Sequence, residues 1–165
     1  MKRNIFVVGL DDFNYDKLLT IQNAQDYHFH ELLQLSELKQ EGVPMVELLD
    51  RAEAKLERFA GSPDAIIGFW DFPVSLMAPY LASRHHLPGP SMESVIRAEH
   101  KYFSRQASTA AAPEHNPPFD LIHPEQPMDP AELKVEYPFW IKPVVAYGSQ
   151  LGFMVEGEED YRRAL

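Results

Sequence analysis

Cysteine is absent from this 165-residue chain, which excludes a disulfide framework, a cysteine nucleophile and thiolate ligation of a metal. Glycine is scarce, with 8 residues, and Gly9 stands alone in the turn after the first apolar run, so no dinucleotide-binding fingerprint can be built there. Positive charge is outnumbered. Against 25 Asp and Glu stand 15 Lys and Arg, a formal net charge of −10, which argues against a nucleic acid or an anionic membrane as partner. No apolar run is long enough to span a bilayer. Residues 5–10 follow Lys2 and Arg3 but are too short for a signal-peptide core and end in Asp11-Asp12. With no targeting segment, the expected location is the cytoplasm. There is no internal repeat.

What is present has the composition of a soluble globule, 45% hydrophobic and 24% charged. The length suits one ordinary domain and the start of another. Strand and helix signals alternate. Residues 5–10 read as a buried strand, 15–25 as a helix, 27–33 as a second strand and 44–60 as a helix. In that last segment Met45, Leu48, Leu49, Ala52, Leu56 and Phe59 form one stripe. Residues 65–70 are a continuous apolar run, suiting a parallel strand covered on both faces. Residues 74–86 read as a helix that Pro79 is expected to kink or break. The pattern implies an α/β fold, a Rossmann-like doubly wound parallel sheet with right-handed crossovers. Residues 107–136 hold Pro113, Pro117, Pro118, Pro124, Pro127 and Pro130, and read as an irregular linker with a short strand near 119–122.

The most informative segment follows. Tyr137-Pro138-Phe139-Trp140-Ile141-Lys142-Pro143 carries one lysine at the end of an apolar run. A loop with Gly148 and Ser149 comes next, and Gly152-Phe153-Met154-Val155 returns. This is a β-hairpin with a cation at its rim and a glycine-containing flap beside it. A lysine at the end of such a strand suits a phosphate anion, to which glycines would let backbone N–H groups approach. Snorkelling to solvent is the ordinary alternative.

A second lysine lies upstream. Pro88-Gly89-Pro90-Ser91 is a stiff turn ending in a good N-cap, and Glu93 favours the helix start. Met92, Val95, Ile96, Tyr102 and Phe103 recur at helical spacing in a single helix over 92–106, which leaves Lys101 off the centre of the apolar stripe.

The order of these signals resembles the ATP-grasp superfamily: a Pro-Gly-Pro-Ser turn, a helix bearing Lys101 and Arg105, an irregular stretch, then Tyr-Pro-Phe-Trp-Ile-Lys-Pro with Gly148, Ser149 and Gly152. The resemblance covers most of the chain. His100 precedes Lys101 where the family commonly has aspartate, and the loop holds two glycines rather than a dense run. The resemblance implies a pre-ATP-grasp domain over 1–106, the linker over 107–136, and the opening hairpin and helix of an ATP-grasp subdomain over 137–165. It further implies that Lys101, Lys142 and the loop 146–152, with Gly148, Ser149 and Gly152, hold the phosphates of ATP. Mg²⁺ would bridge those phosphates, with its ligands supplied outside this chain. The activity implied is ATP-dependent activation of a small-molecule carboxylate as an acyl phosphate for ligation to an amine or similar nucleophile. The chain is then a fragment of a longer enzyme or a degenerate relative, with a homodimer as an admissible assembly.

Acidic residues at strand ends, Asp11, Asp12 and Asp71, with Asn14, are candidates for a second-substrate pocket, since ligands of open α/β sheets sit at the carboxyl ends of strands. Helix capping by Asp11 and Asp71 is the plainer alternative. The same acids support a rival, a receiver-like phosphoacceptor in which Asp71 is phosphorylated and Lys142 pairs with the phosphoryl group. The long, proline-interrupted separation of Asp71 from Lys142 argues against it. A further alternative is a ligand-binding α/β module without catalysis. His28 and His30, on one side of a strand, together with His85-His86 raise a metal site, but no third ligand at diagnostic spacing accompanies them.

Overall fold

The computed structural model describes residues 2–40, 42–146, 148 and 150–165. Two compact units divide the chain, Met1–Val95 and Ile96–Leu165. In the first, β1 (Arg3–Leu10) is the middle strand of a three-stranded parallel sheet, flanked by β2 (Tyr27–Gln34) and β3 (Ala65–Gly68). Its alternation is lost because both faces are covered: Val7 and Val8 are both fully buried. Between these strands lie α1 (Asp12–Leu18), the single turn α2 (Leu35–Leu38) and α3 (Met45–Glu57). From α3, Leu48, Ala52 and Leu56 enter the core at four-residue spacing. After β3, α4 (Val74–Arg84) adds Val74, Met77, Ala78, Leu81 and Ala82.

Several expectations are corrected here. The helix expected over 15–25 begins earlier and ends at Leu18, because Asp11 caps it and Asn23 takes a left-handed conformation, φ 63°, ahead of a 3₁₀ turn. Pro79 does not break α4, which runs through it to Arg84 with the proline buried. Burial of Met77, Ala78, Leu81 and Ala82 around it outweighs the missing N–H. The strand expected over 65–70 stops at Gly68, where an added Cβ would sit 2.3 Å from Val74 Cγ1. Trp70 then turns back, its Nε1 donating to Gly9 O at 2.8 Å.

The histidines have other partners than a metal. His28 and His30 do share a side of β2, but His30 packs at 4.9 Å on both Phe6 and Phe59 and meets Asn4 Oδ1 at 3.0 Å. Burial, then the nearby His28, lowers the pKa of His30. His85 contacts Glu53 at 2.7 Å.

The helix expected over 92–106 is two helices, α5 (Met92–Glu99) and α6 (Lys101–Ala111), separated at His100, whose ψ of 107° is extended. No glycine or proline marks this break. Its cause is tertiary: Lys101 N–H donates to Val144 O at 2.9 Å instead of continuing the helical ladder. Helix α6 also runs past residue 106, so the segment expected as a linker opens with helix. Residues 119–122 form no strand; among the described residues between α6 and the hairpin there are two 3₁₀ turns, Pro113–His115 and Pro130–Glu132, and one isolated bridge, His123 with Gln126.

The expected hairpin is present. Strand β4 (Phe139–Ile141) pairs antiparallel with β5 (Phe153–Val155), in a sheet separate from that of the first unit. This contradicts the receiver reading, which needs the lysine-bearing strand inside the first sheet. Helix α7 (Glu158–Ala164) follows, with Glu158, Glu159 and Asp160 at its positive end and Arg162 and Arg163 at its negative one.

Candidate functional site

The second unit contains a cavity of about 820 Å³, within the span of roughly 300–1,000 Å³ usual for small-ligand sites. One wall is polar. It is the face of α6 that carries Lys101, Ser104, Arg105 and Ser108, residues recurring at three- and four-residue intervals. The opposite walls are largely apolar: Phe139, Trp140 and Ile141 from the hairpin, and Pro117, Pro118, Phe119, Ile122, Leu133 and Val135 from the proline-rich stretch. That stretch therefore builds the site rather than merely linking its neighbours. Sequence reading missed this, because irregular backbone carries no periodicity; the apolar residues interleaved with its prolines were the available signal.

Lys101 opens α6 at this cavity. Its backbone N–H is held by Val144 O, and its Nζ donates to Ala146 O at 3.0 Å. The lysine is thus tied to the root of the loop that the hairpin strands enclose. Lys142 lines the same cavity from just beyond β4, exposed, with Nζ 5.4 Å from the centre of the Trp140 ring. A cation over an aromatic face is only modestly held, so an anion can take it over. The structure brings the two lysines of the sequence pattern together on one cavity.

The loop departs from its expected form. Gly148 has φ 60° with nothing within 4 Å of an added Cβ, so its left-handed backbone is the whole case for glycine. Leu151 is also left-handed, φ 52°, and 69% exposed, a position where the sequence offers no glycine. Gly152 is half-buried directly before β5. Ser149 lies outside the described residues.

At the base of the cavity Tyr161 is buried, its hydroxyl donating to Met128 O at 3.1 Å and its ring set edge-on to Phe139. Burial, then the charges of Tyr137, Asp120 and Asp129, raises its pKa, so it stays neutral and serves as a fixed donor. Asp120 accepts from Lys134 N–H, tying together two parts of the irregular stretch.

The acidic candidates belong to the first unit and are not among the residues that line this cavity. Asp11 caps α1 through Asn14 N at 2.7 Å, and Asn14 Nδ2 donates to both oxygens of the same carboxylate at 2.9 and 3.0 Å. The two side chains satisfy each other. Asp12 is exposed in the first turn of α1. Asp71 does not cap α4; its Oδ1 accepts from Phe72 N at 2.8 Å, and its carbonyl takes Val74 N. Among the described residues no group of three or more His, Cys, Asp or Glu could hold a metal ion.

No protein family and no curated protein sequence matches the chain. Solved structures do. An L-amino acid ligase from Bacillus licheniformis superposes with TM-score 0.66 at 14% sequence identity, over 99% of this chain and 41% of that one. The chain therefore shares the fold of the matched part of that ligase, and it spans 41% of the ligase's length.

Proposed function

We propose that this chain is the N-terminal portion of an ATP-grasp ligase and that the cavity of its second unit receives the phosphates of ATP. One observation carries the reading: Lys101 and Lys142, from the start of a helix and the end of a strand, line one cavity with a polar and an apolar wall. An apolar wall suits a heteroaromatic base, and paired cations suit a polyphosphate. The fold of the ligase from Bacillus licheniformis supports the same class.

In this reading Lys101 and Lys142 offset phosphate charge, while Gly148, Ser149 and Gly152 bring the loop against it. Lys101 exchanges the Ala146 carbonyl for a phosphate oxygen, so that its ammonium meets a full anion in place of a dipole. Mg²⁺, as a companion of the phosphates, supplies charge neutralisation; the residues described here act on the phosphates. A carboxylate substrate would attack the γ-phosphate, releasing ADP and forming an acyl phosphate that an amine then opens. Asp12 and Asp71, at the carboxyl edge of the first sheet, are the positions proposed for the second substrate, with Asp11 and Asn14 shaping that edge.

The test is ATP affinity in three variants. Lys142→Ala and Lys101→Ala should each weaken ATP binding about tenfold, and Asp71→Ala should leave it within twofold of wild type. Full affinity in both lysine variants would remove the assignment.

A further inference from the structure

We propose that Arg105 is a third cation of this site and contacts the polyphosphate directly, an inference that rests on the polyphosphate reading above. Cations are the scarcer charge in this chain, 15 against 25 acids, and at least six of them pair with carboxylates among the described residues. Arg51 pairs with Glu47, Lys55 with Glu31 and Glu37, Arg84 with Glu53, Lys134 with Asp120, Arg162 with Glu158 and Arg163 with Asp160. Lys101, Lys142 and Arg105 have no carboxylate within ion-pair distance among the described residues, and all three line one cavity. Glu99, Asp120 and Glu136 line the cavity too, but Asp120 is taken by Lys134, and three cations without an ion-pair partner of their own suit an anionic occupant.

Arg105 has the position for the role. It stands four residues after Lys101, so both lie on one face of α6, about 6 Å apart along its axis. A triphosphate is long enough to meet both side chains at once. Asn116 sets the guanidinium without satisfying it. Its Oδ1 accepts from Ser108 Oγ at 2.8 Å and from Arg105 Nη1 at 3.4 Å, and its Nδ2 donates to Ala112 O. Four of the five guanidinium donors are left to a ligand, in the planar fork that suits phosphate oxygens. Glu99 and Glu136 also line the cavity and repel any anion, so an occupant gains by engaging several of the cations together.

The experiment titrates ATP, ADP, AMP and inorganic tripolyphosphate into wild type, Arg105→Gln, Arg105→Lys and Lys142→Ala, with folding of each variant checked by its denaturant transition. Arg105→Gln should weaken ATP and tripolyphosphate about tenfold, ADP about threefold and AMP not at all, and Arg105→Lys should recover part of the loss. Unchanged ATP and tripolyphosphate affinity in Arg105→Gln overturns the inference, and a loss in Lys142→Ala beside it leaves the ATP reading standing. An equal loss across all four ligands also overturns it, since Arg105 would then act only through the fold. Arg105-dependent binding of tripolyphosphate with no preference for ATP upholds the inference and overturns the nucleotide reading. A wild type that binds neither overturns both.

Discussion

The two units solve different problems with the same kind of residue. In the first, apolar side chains are removed from water: among the described residues, every buried apolar side chain apart from Val155 and Tyr161 belongs to it. In the second, apolar side chains border an open space, among them Phe119, Ile122, Phe139, Trp140 and Ile141. One unit is a packed scaffold and the other a lined cavity. The contrast teaches where ligand energy can act, because a cavity wall gains contacts on binding while a filled core has none left to gain.

The two tryptophans report the units separately, Trp70 in the first and Trp140 in the second. The largest effect is expected at Leu81, fully buried in α4. Leu81→Ala should lower the stability seen by Trp70 by about 2–5 kcal/mol, whereas Ile141→Ala at the cavity wall should cost the Trp140 transition only about 1 kcal/mol. Equal losses would end the distinction between core and wall. Next is Gly68→Ala, whose Cβ would collide with Val74; a loss of about 1–3 kcal/mol in the Trp70 transition is expected. A neutral result would show that the β3–α4 junction is looser than a core should be.

The smallest effect is electrostatic. Burial pushes the Glu53 carboxyl up, but hydrogen bonds from His85 and Arg84 outweigh it and hold the group below the ordinary carboxylate range. A depressed carboxylate stabilises the fold fully above its unfolded pKa, about 4.3, and that contribution is lost as pH falls through the folded value. Glu53→Gln should therefore flatten the acid limb of the Trp70 stability curve, with a smaller midpoint shift than Gly68→Ala. An unchanged acid limb would assign the pair no part in the scaffold.

How much of this was legible depends on how local each signal is. The strands of the first unit and the hairpin follow from apolar runs and turns, and the structure has them. The pairing of Lys101 and Lys142 on one cavity was legible only through the order of motifs, since nothing in composition joins residues so far apart. The break at His100 was not legible, because a hydrogen bond to Val144 makes it and no local breaker is present. The role of residues 117–135 was hidden for the opposite reason: proline marks irregular backbone but not what that backbone encloses. Leu151, left-handed without glycine, shows that counting glycines understates how sharply the loop turns.

The most direct measurement is the effect of ATP on the two unfolding transitions, read from Trp70→Phe and Trp140→Phe variants so that each unit is seen alone. A ligand that binds only the folded second unit should raise its stability by about 1.4 kcal/mol at ten times the dissociation constant. The expected result is a shift of the Trp140 transition that keeps rising with the logarithm of ATP concentration, that Lys142→Ala reduces and Asp71→Ala does not, with no comparable shift reported by Trp70. A shift confined to Trp70, or a Trp140 shift indifferent to Lys142, would contradict the assignment of the cavity to ATP.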